Sequence, residues 1–273
     1  MVIKNDISAI NNARMLQMTN KAQAKTMEKL SSGYRINKSA DDASGLSISE
    51  KLMKQINSLN KAIDNASDGM AMTDTADGAM NEVGDMLQRL NDLAVKGSNG
   101  TLSDSDRADV QAEASQILSD IDRVGGSTKF NELYLLNGDA SDIQAGADNA
   151  GSNRVTVRLE QMNSDTLGVG GVDFSTAEKS RASLSNIADA IKTLTDQRSG
   201  LGAGYNRMDS TTRNLANVSE NTTAAQSRVK DTDMASELIK QRRNKVQAQA
   251  NMALMRRHQE ERNAQANGLN SIV

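Results

Sequence analysis

The chain has no cysteine, which excludes disulfides, thiolate nucleophiles and cysteine-based metal sites and leaves its redox compartment unreadable. Proline is also absent, where an average protein of 273 residues would carry about 14. Nothing of that kind breaks a long helix. Tryptophan is missing, and two phenylalanines with three tyrosines supply little bulk for a globular core. With a single histidine, His258, a Cys-His dyad or a His/Cys metal set cannot be built. No run is long enough to span a bilayer, and the opening Met-Val-Ile-Lys-Asn-Asp lacks the apolar stretch of a secretory signal peptide. By the usual routes the chain stays in the cytoplasm; a dedicated export machine that ignores such signals is the exception.

The small net charge of −3 conceals an uneven distribution. Residues 1–50 hold seven Lys and Arg against five Asp and Glu, and residues 238–273 hold seven against two. The body between them holds 18 against 28. Basic ends on an acidic middle imply that the termini share an environment of their own. The basic tail carries no aromatic residue for base stacking, which argues against a nucleic-acid partner.

What the chain does have is length of pattern. Ile48, Leu52, Ile56, Leu59, Ile63, Ala66 and Met70 are spaced by threes and fours, and Met80, Val83, Leu87, Leu90 and Ala94 resume the series. A more polar gap lies near Thr73–Asp77. That is one narrow stripe on an α-helix, of coiled-coil type. At ~1.5 Å per residue it extends roughly 70 Å. A compact globule of this chain length measures only ~50 Å across. The pattern therefore predicts a rod, mainly α, built on a long antiparallel helical bundle.

The remaining segments fall around that helix. Residues 3–30 carry a thin apolar face through Ile3, Ile7, Ile10, Leu16, Met27 and Leu30, and are expected to fray until something packs on them. Ser31-Ser32-Gly33 breaks the pattern, and Asp42 or Ser44 can cap the long helix. After the turn at Gly97–Gly100, a helix from Leu102-Ser103-Asp104 turns Val110, Ile117, Leu118, Ile121 and Val124 inward and ends at Gly125-Gly126. Phe130, Leu133 and Tyr134 precede Asn137-Gly138, a hairpin dipeptide, and Arg154–Leu159 alternates as a strand does. Gly168-Val-Gly-Gly171 lacks the lysine and helix start of a phosphate loop and reads as a turn.

From Glu178 a returning seam runs through Leu184, Ile187, Ile191, Leu194, Arg198 and Leu201 to Leu215. Another break at Lys230–Asp233 precedes a terminal helix with Leu238, Ile239, Val246, Ala250, Ala253 and Leu254. The order is palindromic: thin terminal helix, joint, long helix, β tip, and back. It divides into segments 1–43, 44–178, 179–230 and 231–273. The bundle seam is assigned to Leu52, Ile56, Leu59, Ile63, Leu87, Leu184, Ile187, Ile191, Leu194 and Leu201. The terminal apolar residues are expected to be exposed in one copy and buried in an assembly. An intramolecular coiled coil between the two ends is the alternative, and it is expected to bury much the same residues.

At this point several motifs converge. Glu28–Asn37 (EKLSSGYRIN), Ala40–Leu46 (ADDASGL), Leu87–Ala94 (LQRLNDLA), Asn221–Val229 (NTTAAQSRV) and Asp231–Ala235 (DTDMA) strongly resemble bacterial flagellin, in the right order and from both ends inward. The large variable outer domains of that family are missing between residues 140 and 178, so the chain resembles a short, core-only flagellin. The resemblance implies a structural, non-enzymatic and cofactor-free subunit. It implies polymerisation into the flagellar filament for motility and type III export as an unfolded chain without a cleaved signal peptide. It places Ile3, Ile7, Ile10, Leu16, Leu238, Ile239, Val246, Ala250 and Leu254 in a filament core that orders on assembly.

The implied partners are other copies, hook-associated and cap proteins, an export chaperone, and Toll-like receptor 5 through Arg89, Leu93 and Glu113. No membrane or nucleic-acid partner is implied. Asn91 stands where receptor-stimulating members usually carry arginine. As plain helix residues, Arg89 and Glu113 read as an interhelical pair and Leu93 as partly core. The end of the chain departs from the family's uncharged close, because Arg256-Arg-His-Gln-Glu-Glu-Arg262 intervenes. The rival readings are a hook–filament junction protein and a cytoplasmic helical signalling or binding module.

Overall fold

The long seams fold as long helices. A computed structural model describes residues 7–148 and 150–270. Over these residues it forms helices α1 (Ile7–Ser32), α2 (Ala43–Gly97) and α3 (Asp104–Ser127). Strands β1 (Lys129–Phe130), β2 (Leu133–Tyr134), β3 (Ala140–Gln144) and β4 (Arg154–Arg158) follow, and α4 (Ala177–Lys230) and α5 (Met234–Asn270) complete the chain. It divides into two compact units, one of the segments up to Lys54 and from Thr222 onward, the other of Gln55–Asn221.

Helix boundaries follow from local chemistry. Asp42 Oδ1 accepts from the Gly45 N–H at 2.9 Å, capping α2. Ser103 and Asp106 form a reciprocal capping box at the start of α3. The guanidinium of Arg107, itself buried, donates to the carbonyls of Gly97 and Asn99, which satisfies acceptors left open where α2 ends. One boundary differs from expectation. α3 runs through Gly125-Gly126 to Ser127, and Gly125 serves packing, since a Cβ there would collide with the Met162 carbonyl oxygen.

In the unit Gln55–Asn221, Met80, Val83, Leu87, Leu90 and Leu93 of α2 meet Val110, Ala114 and Ile121 of α3 and Ile187, Leu194, Leu201 and Met208 of α4 in one core. The seam residues Ile56, Leu59, Leu87, Ile187, Leu194 and Leu201 are buried, and Leu52, Ile63, Leu184 and Ile191 are half-buried. Ile48 is exposed, and Ser49 beside it is buried instead. The polar gap is partly interior, with Thr73 and Ala76 buried and Asp74 and Thr75 exposed. Thr73 donates to the Gly69 carbonyl at 2.9 Å, and Asp77 receives both Nε and Nη2 of Arg198 at 2.7 and 3.1 Å.

The β region corrects the sequence reading in two respects. The tight turn joining β1 to β2 is Asn131-Glu132, both with positive φ (46° and 69°), and not Asn137-Gly138. That dipeptide lies between the two hairpins, with Gly138 at φ 93°. β4 pairs with β3 from Ala140↔Arg158 to Gln144↔Arg154 and turns Val155 and Val157 into the core. Residues 159–174, almost without regular structure, are core material as well, with Met162, Val169 and Phe174 fully enclosed. Polar groups fasten this segment: Asp122 accepts from the Ser164 N–H at 2.7 Å, and Gln111 from the Phe174 N–H at 2.7 Å.

Candidate assembly surfaces

In the other unit the two terminal helices pack against each other. Asn244 donates to Thr26 and Asn251 to Thr19, so the pair is antiparallel, the one residue falling as the other rises. From Glu237 to Glu260, the residues removed from full exposure are Glu237, Gln241, Asn244, Ala248, Asn251, Met255 and His258, a strict four-three alternation. On α1 the matching series is Ala9, Asn12, Leu16, Thr19, Gln23, Thr26 and Leu30, alternating three and four. This is a heptad seam, but most of its positions are polar or small.

The large apolar side chains point the other way. Ile7 is 69% exposed, Ile10 61%, Ile239 68% and Val246 64%, and Leu238, Leu254, Met15, Met18 and Met252 are also exposed. Ala250 is exposed with them. The pair is thus polar between its helices and apolar outside. This corrects the expectation that pairing of the ends would bury the same residues as an assembly. Leu16, assigned with them to the filament core, is half-buried on the inner seam of this pair. Ile3 lies outside the described residues. The expected fraying is not seen over the described part of α1, because α5 supplies a second heptad series for it to pack on.

Between α1 and α2, and between α4 and α5, the chain leaves helix at points that meet. Tyr34 and Asp231 form an isolated β-bridge, Arg35 N–H donates to the Lys230 carbonyl at 2.7 Å, and Thr232 N–H to the Gly33 carbonyl at 3.0 Å. Gly33 holds a positive φ of 74°, which suits glycine at the end of α1. Lys230 Nζ sits 4.5 Å from the Tyr34 ring centre, a cation–π contact. Ile36 is buried here, and Gly45 is close enough that a Cβ would strike both Ile36 and Asp42. Asp41 gathers Lys25 Nζ at 2.7 Å and the N–H groups of Asn37 and Lys38. These donors, Lys25 foremost, hold its carboxyl down to about 2.

The residues assigned by resemblance to a receptor surface divide. Arg89 donates through Nε and Nη2 to one Glu113 oxygen at 2.8 and 2.5 Å across α2 and α3, and both side chains are exposed. Leu93 is only 2% exposed, facing the core one turn further along α2, and is not on the surface of a single copy. Among the described residues no group of three or more metal-ligating side chains gathers, and no helix is long and apolar enough to cross a membrane.

The family model of the bacterial flagellin N-terminal helical region matches residues 3–141, and that of the C-terminal helical region matches residues 184–264. The flagellar filament core protein flaB2 of Brachyspira hyodysenteriae is 36% identical, over 99% of this chain and 97% of its own length. Flagellin of Bacillus subtilis (strain 168) is 35% identical, over 93% of this chain and 95% of its own. Among solved structures, a Vibrio parahaemolyticus protein described as flagellar hook-associated is similar over 70% of this chain and 99% of its own, with a TM-score of 0.60. At 14% identity that likeness is one of fold alone.

Proposed function

The chain belongs to the bacterial flagellin family and is a structural subunit that polymerises into the flagellar filament, and from that premise we propose that polymerisation runs through the outward apolar faces of α1 and α5. The observation that carries this reading is the inverted pair, with Asn244 against Thr26 inside and Ile239 and Val246 outside. Burying an aliphatic side chain is worth about 1.5–3 kcal/mol, so each of these two-thirds-exposed residues offers roughly 1–2 kcal/mol to a neighbour that covers it. The inner seam offers little by the same measure. Neighbours therefore supply the apolar burial that the paired terminal helices lack on their own.

Such faces meet different surfaces on the next copy, and repeated heterologous contacts that do not close generate a helical polymer. The hook–filament junction reading is not favoured, because flagellins and filament core proteins match nearly the whole chain. Export without a cleaved signal peptide, residence in the extracellular filament, absence of catalysis, and contacts with cap, hook-associated and chaperone proteins belong to the same proposal. So does an innate-receptor surface, with Arg89 and Glu113 as its exposed members. The test is seeded polymerisation followed by sedimentation and electron microscopy. Long filaments are expected; closed rings, or a monomer indifferent to seeds, would overturn the reading.

A further inference from the structure

We propose that Arg256, Arg257, Glu260 and Glu261 form an ion-paired band between copies of this chain, with the basic block of one α5 set against the acidic block of the next. Opposite the inner seam of α5 lies an outward stripe of Ile239, Val246, Ala250 and Ala253, spaced by threes, fours and sevens. The same spacing carries that stripe directly into Arg257 and Glu260, all of them exposed. Arg256, Arg257 and Glu260 line an open groove of about 470 Å³ together with Met252 and Ala253. The charged band is thus continuous with the apolar face that neighbouring copies cover in the proposed polymer. Charges brought into such a contact must be paired.

Pairing within one helix does not meet that need. Arg256 with Glu260, and Arg257 with Glu261, stand at i,i+4 in the order Arg before Glu, the weaker order for an intrahelical pair. Among the described residues Arg256, Arg257, Glu260 and Arg262 make no ion pair, while Glu261 reaches only His258, at 3.7 Å. The two blocks lie four residues apart, so a neighbour displaced by ~6 Å along the helix axis faces basic block with acidic block. A second copy, displaced by that one turn, is the occupant that carries this complementary pattern.

The proposal rests on the filament reading above, and its test separates the two. R256E/R257E makes the band wholly acidic, and E260R/E261R makes it wholly basic. Each variant alone is expected to need at least about tenfold more protein to elongate wild-type seeds, since like charges then face each other. An equimolar mixture is expected to recover wild-type elongation and to sediment with both variants in one polymer. Only pairs between copies allow that recovery, and circular dichroism of each variant checks that helix content is retained. A mixture that elongates no better than its components overturns the band, as do single variants that elongate like wild type. Wild-type chain that ignores its own seeds overturns the filament reading and the band with it.

Discussion

Asn244 of α5 donates its side-chain N–H to Thr26 Oγ1 of α1 at 3.4 Å, and both residues are more than nine-tenths buried. A polar pair at the centre of a heptad seam fixes register and costs stability. Replacing both by leucine is expected to strengthen the α1–α5 pair by about 1–2 kcal/mol. Amide exchange in Thr19–Thr26 and Asn244–Asn251 would slow by roughly tenfold. Faster exchange in those segments would show that the polar contact itself holds the pair together.

The outward face gives the opposite experiment. Ile239→Asp and Val246→Asp alter exposed residues that the single copy does not use. Thermal unfolding of the unassembled protein should shift by no more than about 0.5 kcal/mol. The concentration needed to elongate seeds should rise at least about tenfold, from lost burial and a carboxylate that an apolar contact must desolvate. Unchanged elongation would remove these residues from the assembly contact.

Two adjacent glycines in α3 are expected to respond with opposite signs. A Cβ at Gly125 meets the Met162 carbonyl oxygen, which is backbone and cannot swing aside, whereas one at Gly126 meets nothing within 4 Å. Gly125→Ala should cost about 1–3 kcal/mol in urea unfolding through overpacking. Gly126→Ala should gain roughly 0.5–1 kcal/mol, the helix preference of alanine over glycine.

Acid sensitivity has a defined direction. The Asp41 carboxyl is held at about 2 by Lys25 and by the N–H groups of Asn37 and Lys38. That of Asp173 is held at about 2 by Lys179 and Ser175. Both are lowered from an ordinary value of 3.8, so what they contribute is complete well above that pH and is lost as pH falls through about 2. Asp41→Asn should flatten the stability profile between pH 4 and pH 2, followed by near-ultraviolet dichroism of Tyr34, which lies close by in sequence. An unchanged profile would mean that other groups govern acid unfolding.

The order of helices was legible because the seam of α2 and α4 repeats over many turns, and a helix has one way to bury such a stripe. Asp42 and Ser103 marked helix starts for the same reason, since a side-chain oxygen there reaches N–H groups the helix leaves free. The turn at Asn131-Glu132 was hidden because glutamate rarely takes a positive φ, while Asn137-Gly138 advertised a turn that joins the hairpins and does not make one. The burial of Met162, Val169 and Phe174 follows no helical or strand period, so only the fastenings from Asp122 and Gln111 reveal it. At the termini, the expected exposure of Ile7, Ile10 and Val246 in one copy matches the structure. What could not be seen was that Thr26, Asn244 and Ala248 supplied a second seam, because polar and small residues give no hydrophobic signal.

The bridge between Tyr34 and Asp231 ties together the two places where the chain leaves helix. The hydrogen bonds there, from Arg35 to Lys230 and from Thr232 to Gly33, lie across the two connecting segments, so sliding one past the other loads them in shear. A tug on either end of the chain is therefore divided between both arms before it can peel one away.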